Sequence, residues 1–300
     1  MQRRSFIRNT GLGLGALALG NQQQLLARYF SDPAYKMKPL RNDIGIFTER
    51  GGTILYMVNK KGIVVVDSQF PDTAGHLIAE LKKQTEKPFQ LLINTHHHGD
   101  HSGGNIAFKD VARHVVAHAN SKANQQAVAV KQKKEDQQLY PDITFTDTWK
   151  KRVGKEKVKA HYFGAGHTNG DAIIHFEHAN IAHMGDLLFN RRHPYIDRTT
   201  GANIKNWINV LDKTLTTFDN ETLFVFGHAQ DPEKVTGDKE DIKAFQNYLD
   251  KLLTFAETEF KAGKSIADFI KNKIIPGETE WKGDGIERPL TAAYEEVSGI

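Results

Sequence analysis

From about Asp43 onward, apolar and polar positions fall into short blocks. Residues 44–48, 53–58 and 62–66 are rich in β-branched and aromatic side chains, and Gly-Gly or Lys-Lys-Gly turns separate them. That pattern predicts strands joined by tight turns. Ile63-Val64-Val65-Val66 is an unbroken apolar run, as expected of a strand buried on both faces. In residues 73–83 the spacing changes: Ala74, Leu77, Ile78 and Leu81 recur at helical intervals and mark one buried face. Leu91-Leu92-Ile93 is a second buried strand, and it runs directly into Thr95-His96-His97-His98.

The rest of the chain continues this alternation. A strand is expected at 115–117, a helix at 121–132, two or three strands between 143 and 161, and strands at 172–176 and Ile181–His183. A helix near 203–216 precedes an apolar strand at 223–226, and the last third reads as helical, at about 239–262 and 265–270. Strands and helices alternating in both halves imply an α/β fold with helix-covered sheets. No repeat, low-complexity tract or long linker follows residue 42, so residues 21–300 are expected to form one domain. The lysine-rich stretch 150–159 reads as a solvated hairpin.

Composition narrows the chemistry. The 300 residues suffice for one large domain with a buried core, and 39% hydrophobic with 25% charged residues argues against wholesale disorder. There is no cysteine, which removes disulfides, thiolate ligands, a cysteine nucleophile and a lipidated cysteine anchor. Histidine, present 14 times, and carboxylate then become the expected ligands of any transition metal. The net charge is +4, but Arg3, Arg4 and Arg8 stand in a first segment without acids. The remainder is nearly neutral and gives no electrostatic case for nucleic acid.

Residues 1–20 begin basic, continue as an apolar stretch at 11–19 too short to span a bilayer comfortably, and end in Ala18-Leu19-Gly20, which suits cleavage. Arg3-Arg4-Ser5-Phe6-Ile7 resembles a twin-arginine export signal. The expectation is a periplasmic protein, exported already folded. With the signal cleaved there is no stable membrane insertion; uncleaved, it would tether the protein to the inner membrane.

The strongest chemical signal is Thr95-His96-His97-His98-Gly99-Asp100-His101-Ser102-Gly103-Gly104, set immediately after a buried strand. His96 and His98 are two apart, so in an extended chain both point the same way and could reach one metal. Asp100 and His101 lie beyond the turn and could face a second. His97 should point away from His96 and His98 and is not expected to be a ligand. A solvent-exposed polar loop would also be histidine-rich, but it lacks this mixture of ligand types on a buried strand. Three weaker signals follow at strand ends: Gly166-His167, Gly185-Asp186 and Gly227-His228. In each, glycine allows a sharp turn beside an exposed ligand.

This ordered set resembles the metallo-β-lactamase superfamily signature: Asp67, the 96–101 loop, His167, Asp186 and His228. The resemblance implies a four-layer αβ/βα sandwich with a dinuclear metal centre between two sheets. It assigns His96, His98 and His167 to one metal and Asp100, His101 and His228 to the other, with Asp186 bridging and Asp67 bracing the loop. Two zinc ions suit these donors, and iron or manganese would also accept them. The implied reaction is hydrolysis of a small-molecule substrate by water that the two metals activate, with Asp100 also able to orient it. Ser102 is not needed as a nucleophile.

Within the superfamily, Asp186 stands where some β-lactamases carry a cysteine ligand, and Phe189 stands where they carry a lysine. The bridging aspartate and the Thr-His-His-His-Gly-Asp-His-Ser-Gly-Gly-Asn run look like the glyoxalase II and general-hydrolase branch. Residues 230–300 carry no recognisable glutathione-binding region. The expected substrate bond is an ester, thioester, lactone or amide, with a β-lactam as one variant. An iron-dependent thiol or persulfide oxidoreductase is the alternative. Arg191, Arg192, His193 and Tyr195 either line the cleft and contact an anionic substrate or form a charged exposed loop. His76, His114, His118, His161, His175, His178 and His183 fit structural roles, and Trp207 is expected to serve packing.

Overall fold

The computed structural model describes residues 35–299, so the expected export segment at 1–20 lies outside the described residues. The first sheet takes its strands in chain order: β1 (Lys36–Pro39), β2 (Ile44–Thr48), β3 (Ile54–Asn59), β4 (Gly62–Val66), β5 (Phe89–Ile93), β6 (Val115–His118) and β7 (Ile143–Phe145). β2, β3 and β4 pair antiparallel, whereas β4 to β7 are parallel. Parallel neighbours need crossovers. α1 (Pro71–Gln84) supplies one between β4 and β5, the short α2 (Gly99–Ser102) follows β5, and α3 (Ala119–Gln132) joins β6 to β7.

The second sheet begins with the antiparallel run β8 (Thr148–Val153), β9 (Glu156–His161), β10 (Ile173–Phe176) and β11 (Ile181–His183). The lysine-rich stretch forms its β8–β9 hairpin, as expected. After β12 (Phe189–Asn190) and α4 (Ile204–Thr217), β13 (Leu223–Val225) returns parallel to β11. β14 (His228–Ala229) pairs with β12, and β15 (Thr236–Gly237) closes the edge beside β13. The chain ends in α5 (Lys239–Lys261), the one-turn α6 (Ile266–Phe269) and α7 (Glu287–Ser298).

The side-chain alternation of the strands builds the layers. In β4, Val64 and Val66 join Leu91 and Ile93 of β5 and Val158, Ala160, Ile174 and Phe176 of the second sheet in one buried cluster. This is the core between the sheets. Ile63, Val65 and Leu92 are equally buried but fall on the opposite face, where α1 buries Ala74, Leu77, Ile78 and Leu81. The outer face of the second sheet, through Ile173, Ala182 and Phe224, packs against α4, α5 and α7. The result is the expected four-layer αβ/βα sandwich.

Trp207 is fully buried on α4 and donates its indole N–H to the Leu187 carbonyl at 3.1 Å, which makes it a packing residue. α5 buries Ile242, Phe245, Tyr248, Leu249 and Leu252. Each such side chain contributes roughly 1.5–3 kcal/mol of transfer free energy. The helices beyond residue 228 are therefore part of the core. Among the described residues no helix is long and apolar enough to cross a membrane.

The element boundaries mostly fall within two residues of the expected ones. The sequence pattern missed β1, the one-turn α2 inside the histidine loop, the short β12, β14 and β15, and α7. The two-residue strands are too short to show a period, and the buried face of α7 is made of Pro289, Leu290, Ala292, Ala293 and Tyr294, where small residues and a proline blur the apolar signal.

His161 on β9 is buried with its Nε2 unpartnered, against Phe218 and His175. Burial first, then the nearby Lys159 and His175, lower its pKa to about 4, against the pull of Glu177. The unfolded chain therefore takes up this proton at higher pH than the folded one. Its contribution to stability is intact above the ordinary histidine pKa, about 6.5, and is lost as pH falls towards 4. In thermal melts, His161→Phe is expected to show a smaller fall in Tm between pH 7 and 4.5 than the parent chain; equal falls would contradict this account.

Candidate metal centre

The loops at the C-terminal ends of β4, β5, β9, β11 and β13 meet at one edge of the two sheets. Backbone hydrogen bonds sew them together: Ser68 N–H to His101 O at 2.7 Å, Ala172 N–H to Thr95 O at 2.8 Å, Gly227 N–H to Gly185 O at 2.8 Å and Thr53 N–H to Gly227 O at 2.9 Å. Below the histidine loop, the side chains of Asn94 and Asn105 exchange hydrogen bonds of 3.0 and 2.8 Å and pin its two ends. Two glycines make room for the donors. A Cβ on Gly52 would stand 2.1 Å from the His101 ring, and one on Gly227 would stand 2.0 Å from Asp186 Oδ1.

The seven expected donors come together in two groups. In the first, His98 Nδ1 lies 3.2 Å from His96 Nε2 and 2.9 Å from His167 Nε2. In the second, His228 Nε2 lies 3.3 Å from His101 Nε2 and 3.1 Å from Asp100 Oδ2. Asp186 stands between them and turns one oxygen to each. Its Oδ2 is 3.4 Å from His167 Nε2 and 3.9 Å from His96 Nε2, while Oδ1 is 3.0 Å from His101 Nε2 and 3.5 Å from His228 Nε2. A tetrahedral cation with bonds of about 2.0–2.2 Å spaces its ligands by about 3.3–3.6 Å. The donor spacings, 2.9 to 3.9 Å, bracket that range.

The hydrogen bonds decide which ring nitrogens carry protons. Asp67 accepts from Thr95 N–H at 2.7 Å, from the Thr95 hydroxyl at 2.7 Å and from His101 Nδ1–H at 2.8 Å. With its hydroxyl proton given to Asp67, Thr95 can only accept from His96 Nδ1–H, at 3.1 Å. His98 donates Nε2–H to Asp197 at 3.0 Å, and His167 donates Nδ1–H to the Tyr195 carbonyl at 2.7 Å. For all four rings the inward nitrogen is thereby left as a bare lone pair. Those lone pairs converge on one another and on carboxylate oxygens. Asp186 Oδ1 is buried and accepts no hydrogen bond. Such a set is satisfied by cations, and the donor chemistry fits zinc.

The electrostatics agree. Burial alone would protonate Asp186, but His228 and His101 hold its carboxyl well below the usual range. Burial likewise opposes charge on His101, yet Asp186, Asp100 and Asp67 raise its pKa well above the ordinary value. The cluster of carboxylates around His101 therefore calls for positive charge at this point of the site. Burial, reinforced by neighbouring histidines, keeps His96 neutral and lowers His167 to about 3, despite the opposing pull of Asp186. Asp100 is lowered to about 2 against the effect of burial, by His101 and its hydrogen bond with His228.

His97 departs from its expectation. Its ring lies away from His96, at 6.3 Å between centroids, but only 4.4 Å from that of His98. It packs on the outer side of His98, with Nε2 3.8 Å from the shared partner Asp197, because burial of the loop leaves the ring no solvent to turn into. His76, His114, His118, His161, His175, His178 and His183 take no part in either donor group. Among the loop residues after Asp186, Arg192, His193 and Tyr195 line a cavity of about 380 Å³ over the donors. Arg191 instead pairs with Asp241 at 3.0 Å and Glu280 at 2.7 Å. Phe189 stacks on His228 with centroids 5.4 Å apart and forms an apolar wall.

The model of the Metallo-beta-lactamase superfamily matches residues 47–228, a span that holds every one of these donors. The chain belongs to the metallo-beta-lactamase superfamily. It is 24% identical over 199 residues to the metallo-beta-lactamase IND-1 of Chryseobacterium indologenes, covering 63% of this chain and 80% of that protein. A metallo-beta-lactamase structure from Pontibacter korlensis matches with a TM-score of 0.59 and 19% identity, over 72% of this chain and 99% of the other. A structure of a double mutant of the sec-alkyl sulfatase PisA1 matches with a TM-score of 0.66 and 13% identity, over 86% of this chain and 49% of the other.

In this superfamily member, sequence reading missed two partners of the histidines. Asp197 lies far along the chain from His98, in a segment whose only mark is an aspartate ahead of Thr199 and Thr200, both of which it accepts from. The Tyr195 contact uses a backbone carbonyl and leaves no trace in residue type.

Asp67 adopts a left-handed backbone conformation, φ 64°, which asparagine tolerates. Asp67→Asn is therefore expected to keep the fold and weaken metal affinity by about 10–100-fold, the usual effect of losing an outer partner of a ligand. Competition with a chromophoric chelator measures this, and unchanged affinity would refute the bracing role.

Proposed function

We propose that this protein is an exported metal-dependent hydrolase that uses a dinuclear centre to cleave an ester, thioester, lactone or amide bond, β-lactams among the candidates. One observation carries the reading: Asp186 divides its two oxygens between two donor groups whose histidine lone pairs have no protons to meet. His96, His98 and His167 would hold one cation, Asp100, His101 and His228 the other, and Asp186 both. Two zinc ions are the proposed occupants. When bound, such cations polarise the scissile carbonyl and let water serve as a nucleophile near neutral pH.

The protein's own residues arrange the rest. Asp67, Asp197 and the Tyr195 carbonyl fix ring orientation so that no ligand reorganises during turnover. Asp100 is the most exposed carboxylate of the set, its side chain 31% accessible, and is placed to orient the attacking water. Phe189 and the buried aromatic layer behind it exclude solvent from one side of the cleft. Asp186 in place of cysteine, and Phe189 in place of lysine, favour the glyoxalase II and general-hydrolase branch over the cysteine-bearing β-lactamases.

Elemental analysis of the purified protein is expected to give about two metals per chain, and a panel of esters, acyl-thioesters, lactones and nitrocefin to identify the bond cleaved. His98→Ala should lower metal content and reduce turnover more than about 100-fold, beyond the effect of an outer partner. Full turnover by His98→Ala, or by metal-free protein, would end the proposal.

Export is supported by the paired Arg3-Arg4 and the apolar stretch that follows. Intact-mass analysis after fractionation should find periplasmic protein shorter by roughly twenty residues, the usual length of such a signal. Arg3→Lys with Arg4→Lys should leave full-length chain in the cytoplasm. Processing and export unaffected by that pair of changes would refute this pathway.

A further inference from the structure

One wall of the cleft carries donors that have nothing to bind. Arg192, His193 and Arg288 line the same cavity as His98, Asp186 and His228. Among the described residues, neither Arg192 nor Arg288 has an ion-pair or hydrogen-bond partner for its guanidinium, whereas neighbouring Arg191 is held by Asp241 and Glu280. Asp284 lines the cavity too but forms no ion pair with either arginine.

His193 is oriented from below. Its Nδ1 lies 3.0 Å from the hydroxyl of Tyr248, a residue of α5 that is fully buried. That hydroxyl has no other partner among the described residues. A buried O–H left without an acceptor is unfavourable, so it donates to Nδ1 and the imidazole proton sits on Nε2. Burial holds the Tyr248 pKa well above its usual value, so the phenol stays a donor. His193 thus carries its free N–H on Nε2 and lines the same cavity as the two unpaired arginines. Both arginines are exposed and stand at the open side of the cavity, and the planar arginine fork recognises oxyanions, carboxylates above all. Arg192 and His193 lie within the family match, whereas Arg288 and Tyr248 lie beyond residue 228, so the C-terminal helices supply part of this wall.

We propose that the cleft selects substrates bearing an oxyanionic group, held by Arg192, Arg288 and the Nε2–H of His193, with Tyr248 as a positioning residue that fixes the histidine tautomer. The selection of substrates rests on the hydrolase reading above; the anion site does not.

The test uses metal-loaded, full-length protein and two esters, 4-nitrophenyl hemisuccinate and its methyl ester. The parent protein should prefer the hemisuccinate. Arg192→Ala and Arg288→Ala should each lower that preference by about 10-fold, mainly through KM, as expected for loss of a charge-assisted hydrogen bond. Arg288→Lys should retain part of it, and Tyr248→Phe should lower it by about 3-fold through KM, the weight of a modest hydrogen bond. Arg191→Ala should leave it unchanged.

Calorimetric titration with succinate and with sulfate supplies a readout without turnover, and the stronger binder identifies the oxyanion. The Arg192→Ala, Arg288→Ala double variant should bind it at least about 10-fold more weakly. Undiminished preference and undiminished binding in that variant would overturn the proposal. If neither ester is cleaved but anion binding still depends on both arginines, the hydrolase reading fails and the anion site stands. If both esters are cleaved without preference and binding ignores the arginines, the reverse holds.

Discussion

The site depends on one electrostatic constraint: a buried carboxylate, Asp186, whose two oxygens face two sets of nitrogen lone pairs. Negative charge and unprotonated imidazoles cannot be held together in a water-poor interior without positive charge to balance them. Every outer hydrogen bond reinforces that demand. Asp67, Asp197 and the Tyr195 carbonyl take the outward protons, so the inward nitrogens have none to offer. The carboxylates around His101 raise its affinity for a proton for the same reason that they would attract a cation.

The fold serves this constraint by placing strand ends side by side. The parallel arrangement of β4 and β5 brings Asp67 beside the histidine loop, and the parallel pairing of β11 with β13 brings Asp186 beside Gly227. The close approach of these loops explains the local glycines. Gly52 and Gly227 leave space that any side chain would take from His101 and Asp186.

The C-terminal helices have two roles. They complete the core over the outer face of the second sheet. They also form part of the cleft wall, through Arg288 and, by way of Tyr248, through His193. The donor groups lie within the part of the chain that matches the superfamily, and the opposite wall is supplied in part from outside it. The cleft over the donors is thus lined both by the matched stretch, through Arg192 and His193, and by the C-terminal helices, through Arg288.

The sequence by itself determined the elements and the donors. Period-two and helical spacing located most strands and helices, because each element must bury one face, and the glycine-flanked histidines and aspartates at strand ends marked the ligand candidates. It could not determine the second set of partners. Asp197 reaches His98, the Tyr195 carbonyl reaches His167, and Tyr248 reaches His193 only because the chain folds back over long separations. Likewise His97 turned towards the outer side of His98, where two-residue alternation placed it away, since in a buried loop packing outweighs strand geometry. Local pattern reports which face of an element is buried; which distant atoms share that burial is decided by tertiary packing alone.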